Sequence, residues 1–358
     1  MTRAAEARMD LSALQSNLQR VRNAAPSSRV MAIIKANGYG HGMLRVAKAL
    51  VSADAFGVAC LDEALWLRDA GIAQPVLLLE GFYEASELEL ICRHELAIVV
   101  HHEFQIGILE KSRVSAPVHV WLKIDTGMHR LGFDPQQVPN AYRRLTSCRN
   151  VAGPLHLMTH LADADSRHDP LTAQQIESFN ATVSGFEGER SIANSAAIIA
   201  WPQSHGDWVR PGIMLYGASP FNDTVGAAEG LQPVMTLSSK LIAINHFKKG
   251  DKVGYGGEWT CPEDMPVGVV AIGYGDGYPR GVSSGTPVVI KNQRVPVVGR
   301  VSMDMITVDL RGLPTARTGD TVVLWGGGLP VEEIAQCAKT IPYELLCRVT
   351  QRVRINES

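Results

Sequence analysis

No apolar run in this 358-residue sequence is long enough to cross a bilayer, so a membrane-spanning helix is not expected. The opening stretch, MTRAAEARMDLSALQSN, has no hydrophobic core of a signal peptide and reads as a strand leading into a helix. Cysteine is sparse. The six residues, at 60, 92, 148, 261, 337 and 347, form no Cys-x-x-Cys pair, and no His/Cys cluster has metal-ligand spacing. That argues against a metal site and fits buried small hydrophobes in a reducing compartment. Charge of one sign is also lacking. A net charge of −2 argues against a nucleic-acid partner held by bulk charge. No G-x-G-x-x-G joins a strand to a helix, and no phosphate-loop motif, repeat of fixed period beyond the strand–helix unit or low-complexity stretch is present. The expectation is a cytoplasmic protein.

What is present is ordinary globular composition, 46% hydrophobic and 20% charged, in a chain long enough for two domains. Between residues 30 and about 217, short apolar runs alternate with amphipathic stretches. The runs are VMAIIKA, AFGVA, PVLLLE, LAIVV, VHVWLKID, LHLMTHL, SIANS and VRPGIMLYG. Helical candidates lie between them at 61–71, 85–95 and 171–186. In the first, Leu61, Ala64, Leu65 and Arg68 share a face, and Gly71 is a credible stop. Strand–helix alternation implies a parallel sheet. Eight units fit a closed (β/α)8 TIM-type barrel better than the alternative, an open Rossmann-type sheet. After a small, polar, Gly-containing stretch at 221–230, expected to be a linker, the texture becomes strand-like, and only 331–340 looks helical. The chain is therefore α/β, with a barrel over 1–231 and a mainly β C-terminal domain over 232–358.

Lys35 ends the run Val30–Ile34, and such runs are buried on both faces. A lysine there is either the first solvated residue or one used chemically. In a barrel of this type the chemistry sits at the carboxyl ends of the strands. Lys35 and Tyr39 follow the first run, Arg130 in DTGMHR follows the fifth, and His160 ends the sixth. Asn194 and Ser195 end the seventh, and Arg210, Gly212 and Ile213 lie on the eighth. Ser195, Gly212 and Ile213 suit a phosphate, which such barrels commonly hold near the last two strands. A lysine together with a phosphate site suggests pyridoxal phosphate. Taken singly, His160 reads as a hydrogen-bonded core histidine and Arg130 as a solvated cation.

The motifs AIIKANGYGHG, KIDTGMHRLG, WVRPGIMLYG, VGYGG, GYGDGYPRG and VSMDM, in this order, closely resemble the alanine racemase family. The resemblance covers nearly the whole chain. It implies a pyridoxal-phosphate racemase that interconverts L- and D-alanine and supplies D-alanine for peptidoglycan. In that family a barrel precedes a β domain, and the homodimer is head-to-tail. Lys35 would then hold the cofactor and serve as one base, and Tyr255 as the other, on the opposite face of the substrate. Tyr39, Ser195, Gly212, Ile213 and Tyr343 resemble the phosphate ligands, and Asn194 lies beside them. Arg210 would face the pyridine nitrogen, with His160 linking it toward Tyr255. Arg130 would contact the cofactor's phenolic oxygen and the substrate carboxylate, which the Met303 N–H would also bind, with Asp304 beside Met303 and Tyr274 at the entrance. Lys123 matches a lysine that is carbamylated in several members. Tyr255, Tyr274, Met303 and Asp304 would serve the partner subunit's barrel. Gly38 departs from the family pattern, which often has alanine there.

Three rivals remain at this point. A decarboxylase sharing the barrel would want an acid at the pyridine nitrogen, where this sequence has Arg210. A cofactor-carrier protein would lack the β domain. A broad-specificity amino-acid racemase would tend to carry an export signal.

Overall fold

The structure, a computed structural model, describes residues 3–357. It divides into two compact units. One runs from Gln15 to Leu215; the other joins the segment through Leu14 to everything from Tyr216 onward.

The first strand, β1 (Glu6–Met9), belongs to the second of these units. The first unit is a closed parallel barrel of β2 (Arg29–Ile33), β3 (Ala55–Val58), β4 (Val76–Leu78), β5 (Ala97–Val100), β6 (Val118–Lys123), β7 (Val151–Met158), β8 (Arg190–Ser191) and β9 (Trp208–Val209). All eight expected runs are barrel strands, and β9 closes the ring on β2 with Arg29 opposite Trp208. The central strands are apolar because interior side chains and surrounding helices bury both faces: every residue of β3 and β4 is buried, whereas β8 is only Arg190–Ser191 and β7 starts partly exposed. The helices lie where the periodicity put them. Leu61–Asp69 buries Leu61, Ala64 and Leu67, a stripe one residue off the expected one, which used Leu65. Pro170–Thr182 begins at Asp169, whose side chain accepts the Leu171 N–H at 2.8 Å. Among the described residues no helix is long and apolar enough to cross a membrane.

The other unit adds β10 (Met235–Phe247), β11 (Lys252–Val253), β12 (Trp259–Thr260), β13 (Met265–Val270), β14 (Pro287–Ile290), β15 (Gln293–Val298), β16 (Ile306–Asp309), β17 (Thr321–Trp325) and β18 (Arg354–Glu357). Its main sheet has the order β13-β16-β15-β14-β17-β10-β1-β18. β10 also pairs with β13 through its second half, which closes six of these strands into a ring.

Three expectations need revision. A chain-order boundary at 231 is not where the structure divides, because β1 hydrogen-bonds between β10 and β18 and carries the N-terminal segment into the β unit. The stretch at 221–230 is no free linker. Phe221 is buried, and the N–H groups of Ser219 and Gly226 both donate to the buried Glu332 carboxylate. A second short helix, Pro342–Cys347, follows the expected one, which spans Val331–Cys337.

Candidate active site

At the carboxyl end of β2 the backbone leaves the ordinary regions. Ala36, Asn37, Gly38 and Tyr39 all have φ between 52° and 62°, a left-handed turn of four residues directly after Lys35. Only Gly38 adopts this without strain, and each other residue costs about 1 kcal/mol. The turn is held by its neighbours. The Ala36 N–H donates to Glu63 at 2.7 Å, and the Asn37 side chain accepts the Met43 N–H at 2.9 Å. His41, fully buried, places Nδ1 2.8 Å from the Tyr39 carbonyl. Strain so over-determined is a feature of functional sites. Lys35 itself is only partly buried; the buried lysine is Lys123, at the end of β6.

The turn brings Tyr39 to the last strand. Its hydroxyl oxygen lies 2.5 Å from where a Cβ on Gly212 would stand, so only glycine leaves room for it. Ser195 is buried just after β8, and its Oγ accepts the Gly212 N–H at 2.8 Å. Asn194 caps the short helix Ser195–Ala200 through the Ala197 N–H, and Ile213 is buried beside Gly212. Two hydroxyls and the backbone at 212–213 thus converge from β2, β8 and β9. With the Gly212 N–H held by Ser195, the two hydroxyls and the Ile213 backbone are the groups that suit a phosphate ester.

Arg210 forms the second cluster. It is 4% exposed and donates to Ser191 Oγ and the Thr159 carbonyl, both at 2.6 Å, and to the Ile192 carbonyl at 3.3 Å. Its Nη2 stands 3.4 Å from His160 Nδ1. Arg210 Nε takes part in none of these bonds, and Nη1 makes only one, so donor capacity remains for another group. Burial lowers the guanidinium to about 10, still charged at neutral pH. Burial, followed by the charges of Arg210, Lys123, Arg130 and Lys35, holds His160 well below the ordinary imidazole range. His160 is therefore neutral near pH 7.

Lys123 is pushed down to about 8 by burial and then by Arg210, Arg130 and Lys35. Arg130 is exposed on a loop that folds back onto β6, where the Phe133 N–H donates to the Lys123 carbonyl at 2.9 Å. Four cations, Lys35, Lys123, Arg130 and Arg210, thus act on one another at one end of the barrel, with Asp125 the carboxylate that opposes them at Lys123. Sequence reasoning missed two residues here. Half-buried His101 has Nε2 3.1 Å from the Glu80 carbonyl and feels the charge of Lys123. Buried Gln175 ties the His160 carbonyl to Thr126. Neither stands in a motif, and only the tertiary fold brings them in.

In the β unit, Tyr274, Met303 and Asp304 come together. The Tyr274 N–H donates to the Ser302 carbonyl at 3.1 Å and the Gly275 N–H to the Met303 carbonyl at 2.9 Å. The Met303 N–H has no acceptor among the described residues, and the residue is 52% exposed. Tyr255, on a short turn after β11, is 71% exposed, unusually open for an aromatic. Tyr343 opens the helix Pro342–Cys347 and is partly buried.

Comparison with known proteins matches this layout. The alanine racemase N-terminal domain family model matches residues 9–220 and the alanine racemase C-terminal domain model residues 234–356. Alanine racemase of Nitrosococcus oceani is 56% identical over 348 residues, covering 97% of this chain and 98% of that one. The Coxiella burnetii alanine racemase is 51% identical, covering 99% and 98%. The crystal structure of biosynthetic alanine racemase from Pseudomonas aeruginosa superposes with a TM-score of 0.97 at 45% identity, over the whole of both chains. That of Bartonella henselae, described with covalently bound pyridoxal phosphate, gives 0.89 at 27% identity over 99% of each. On both domains and over its full length, the chain belongs to the alanine racemase family.

Proposed function

We propose that the chain interconverts L- and D-alanine with pyridoxal phosphate, using Lys35 and Tyr255 as two bases, and so supplies D-alanine for peptidoglycan. The observation that carries this reading is the pairing of the Tyr39–Ser195–Gly212 cradle with the buried, hydrogen-bonded Arg210 at the barrel end that bears Lys35. These residues fit the cofactor: the cradle for its phosphate, with Ile213 and Tyr343, Arg210 for its ring nitrogen, and Lys35 for its covalent anchor. Pyridoxal phosphate, when bound, withdraws electrons from the amino acid and acidifies its Cα proton.

The protein then has to move one proton between two faces. A single base tends to return a proton to the face it came from, so two are needed. The Lys35 amine serves one face once substrate replaces it. Tyr255 serves the other, and a phenol of pKa about 10 needs cationic or hydrogen-bonding help to act near neutrality. Neutral His160 backed by Arg210 supplies that help. Arg210 also limits what else can happen. Arginine donates a hydrogen bond but keeps its proton, so Arg210 would leave the ring nitrogen of the bound cofactor unprotonated and its electron withdrawal modest. Proton transfer is then favoured over transamination, and an acid-dependent decarboxylase is disfavoured.

Arg130 and the open Met303 N–H bind the substrate carboxylate. The exposure of Tyr255, Tyr274 and Met303 supports a head-to-tail homodimer in which each β unit completes its partner's barrel site. The test is Tyr255→Phe with alanine in deuterated water. Exchange at Cα should persist from D-alanine and collapse from L-alanine. Equal exchange from both enantiomers would overturn the two-base reading.

A further inference from the structure

Beneath the Tyr274 and Met303 backbone lies an ion network that no sequence motif announced. Asp276 is completely buried. Its Oδ2 accepts from Arg3 Nη2 at 2.6 Å and from the Gly273 N–H at 3.0 Å, and its Oδ1 lies 3.4 Å from Arg352 Nε. Both arginines continue to the same second acid. Arg3 donates to the Asp304 carbonyl at 3.2 Å and stands 3.6 Å from Oδ1, and Arg352 donates to that Oδ1. Two guanidinium groups therefore bridge two carboxylates, one buried and one at the surface. Forked donors suit such bridging, where a single ammonium would not.

The backbone around the network leaves little slack. A Cβ on Gly273 would stand 2.2 Å from the Ser302 carbonyl oxygen, so the 273–277 turn lies directly on the loop 302–304. Thr350 fastens the other side: its Oγ donates to the Gly275 carbonyl at 3.0 Å and its N–H to the Asp276 carbonyl at 3.2 Å. The loop itself is closed by the Ser302 N–H on the Met305 carbonyl at 3.0 Å. Between these fixed points the Met303 N–H is left as a donor with no acceptor among the described residues. A free N–H binds well only if its direction is set in advance, because orienting it on binding costs affinity.

We propose that Asp276 is a positioning residue for the reaction, sharing its buried charge between Arg3 and Arg352 to hold Asp304 and so aim the Met303 N–H at the substrate carboxylate. This rests on the role given to Met303 above. Asp276 acts on binding of the carboxylate and not on the cofactor, which the barrel residues hold. Removing its charge leaves two arginines competing for Asp304 alone.

The test uses the holoenzyme and two probes: alanine, and propionate, which keeps alanine's carboxylate and lacks its amine. Asp276→Asn and, because a buried substitution can fail to fold, the more exposed Arg3→Gln are compared with wild type. Misdirecting one hydrogen bond to a charged group should raise KM for alanine and Ki for propionate by about tenfold. Cofactor affinity should be unchanged and kcat altered by no more than about twofold. Arg3→Lys should recover only part of the loss. Unchanged KM and Ki in folded variants, or a parallel loss of cofactor affinity, would overturn the proposal. Met303→Pro removes the N–H outright and separates the two readings. Propionate binding that survives it would overturn the role of Met303, and the proposal with it. Binding lost there but intact in Asp276→Asn and Arg3→Gln would overturn the role of Asp276 alone.

Discussion

The hydroxyl of Tyr39 occupies the space that any side chain on Gly212 would claim, with its oxygen 2.5 Å and its Cζ 3.2 Å from the position of the missing Cβ. Residues far apart in sequence thereby define one small cradle. Gly212→Ala should push the ring tip aside. Because a ring tip yields more easily than backbone, the stability loss should be only about 1 kcal/mol. Cofactor affinity should suffer more, by about tenfold or greater, the worth of one hydrogen bond to a charged phosphate. Visible titration of the apoprotein, set beside its thermal melt, measures both. An unchanged affinity would show that Tyr39 is not a phosphate ligand.

Lys123 is a buried lysine surrounded by cations, lowered to about 8 by burial and by Arg210, Arg130 and Lys35. Near neutral pH an appreciable fraction of its amine is neutral, the form that reacts with carbon dioxide. Carbamylation would turn a cation into an anion among three other cations, which relieves their repulsion. With carbon-13 bicarbonate, the wild-type protein should show a carbamate carbon resonance that Lys123→Met lacks. Its absence from the wild type would leave Lys123 as a free amine.

His41 is fully buried and lowered to about 4, first by desolvation. The unfolded chain, with an imidazole near 6.5, takes up the proton first as pH falls. Stability from this group is therefore complete above about 6.5, declines as pH drops toward 4, and levels off below. The loss is about 3 kcal/mol over that window. His160 is lowered too and adds to the same trend. Denaturant unfolding at neutral pH and near pH 4.5 should show the decline, and His41→Gln should flatten part of it. A pH dependence identical in wild type and variant would assign the decline to other groups.

These features differ in how openly the sequence displays them. The barrel strands were legible because burial on both faces forces uninterrupted apolar runs, and a four-residue run such as Ala55–Val58 has little else it can be. The left-handed turn after Lys35 was only half legible. Asn37 and Gly38 favour such a backbone, but Ala36 and Tyr39 do not, and they are held there by partners such as Glu63 that the tertiary fold supplies. Gly38, the departure from the family pattern, is the one residue in the turn for which a positive φ is free. The partners of β1 were not legible at all. A strand at residues 6–9 could be foreseen locally, but its pairing with β10 and β18 is set by contacts more than 200 residues away. The same distance hid the ring of Arg3, Asp276, Asp304 and Arg352. Asp276 stood in the quoted GYGDGY motif, yet nothing near it in sequence marks the arginines that meet it.

The strongest test of the shared site mixes two lesions. Lys35→Ala and Tyr255→Phe should each be nearly inactive alone, since each removes one base. When the two chains are unfolded and refolded together, random assortment makes about half of the dimers mixed. If each site takes Lys35 from one subunit and Tyr255 from the other, a mixed dimer holds one site with both lesions and one with neither. Activity should then recover to about a quarter of wild type. If both bases come from one chain, every site keeps a lesion and mixing changes nothing. Recovery should also grow with time and protein concentration, because subunits must meet before an intact site can form. Mixed dimers confirmed by a tag pull-down but without recovered activity would place Tyr255 over its own barrel and end the head-to-tail assignment.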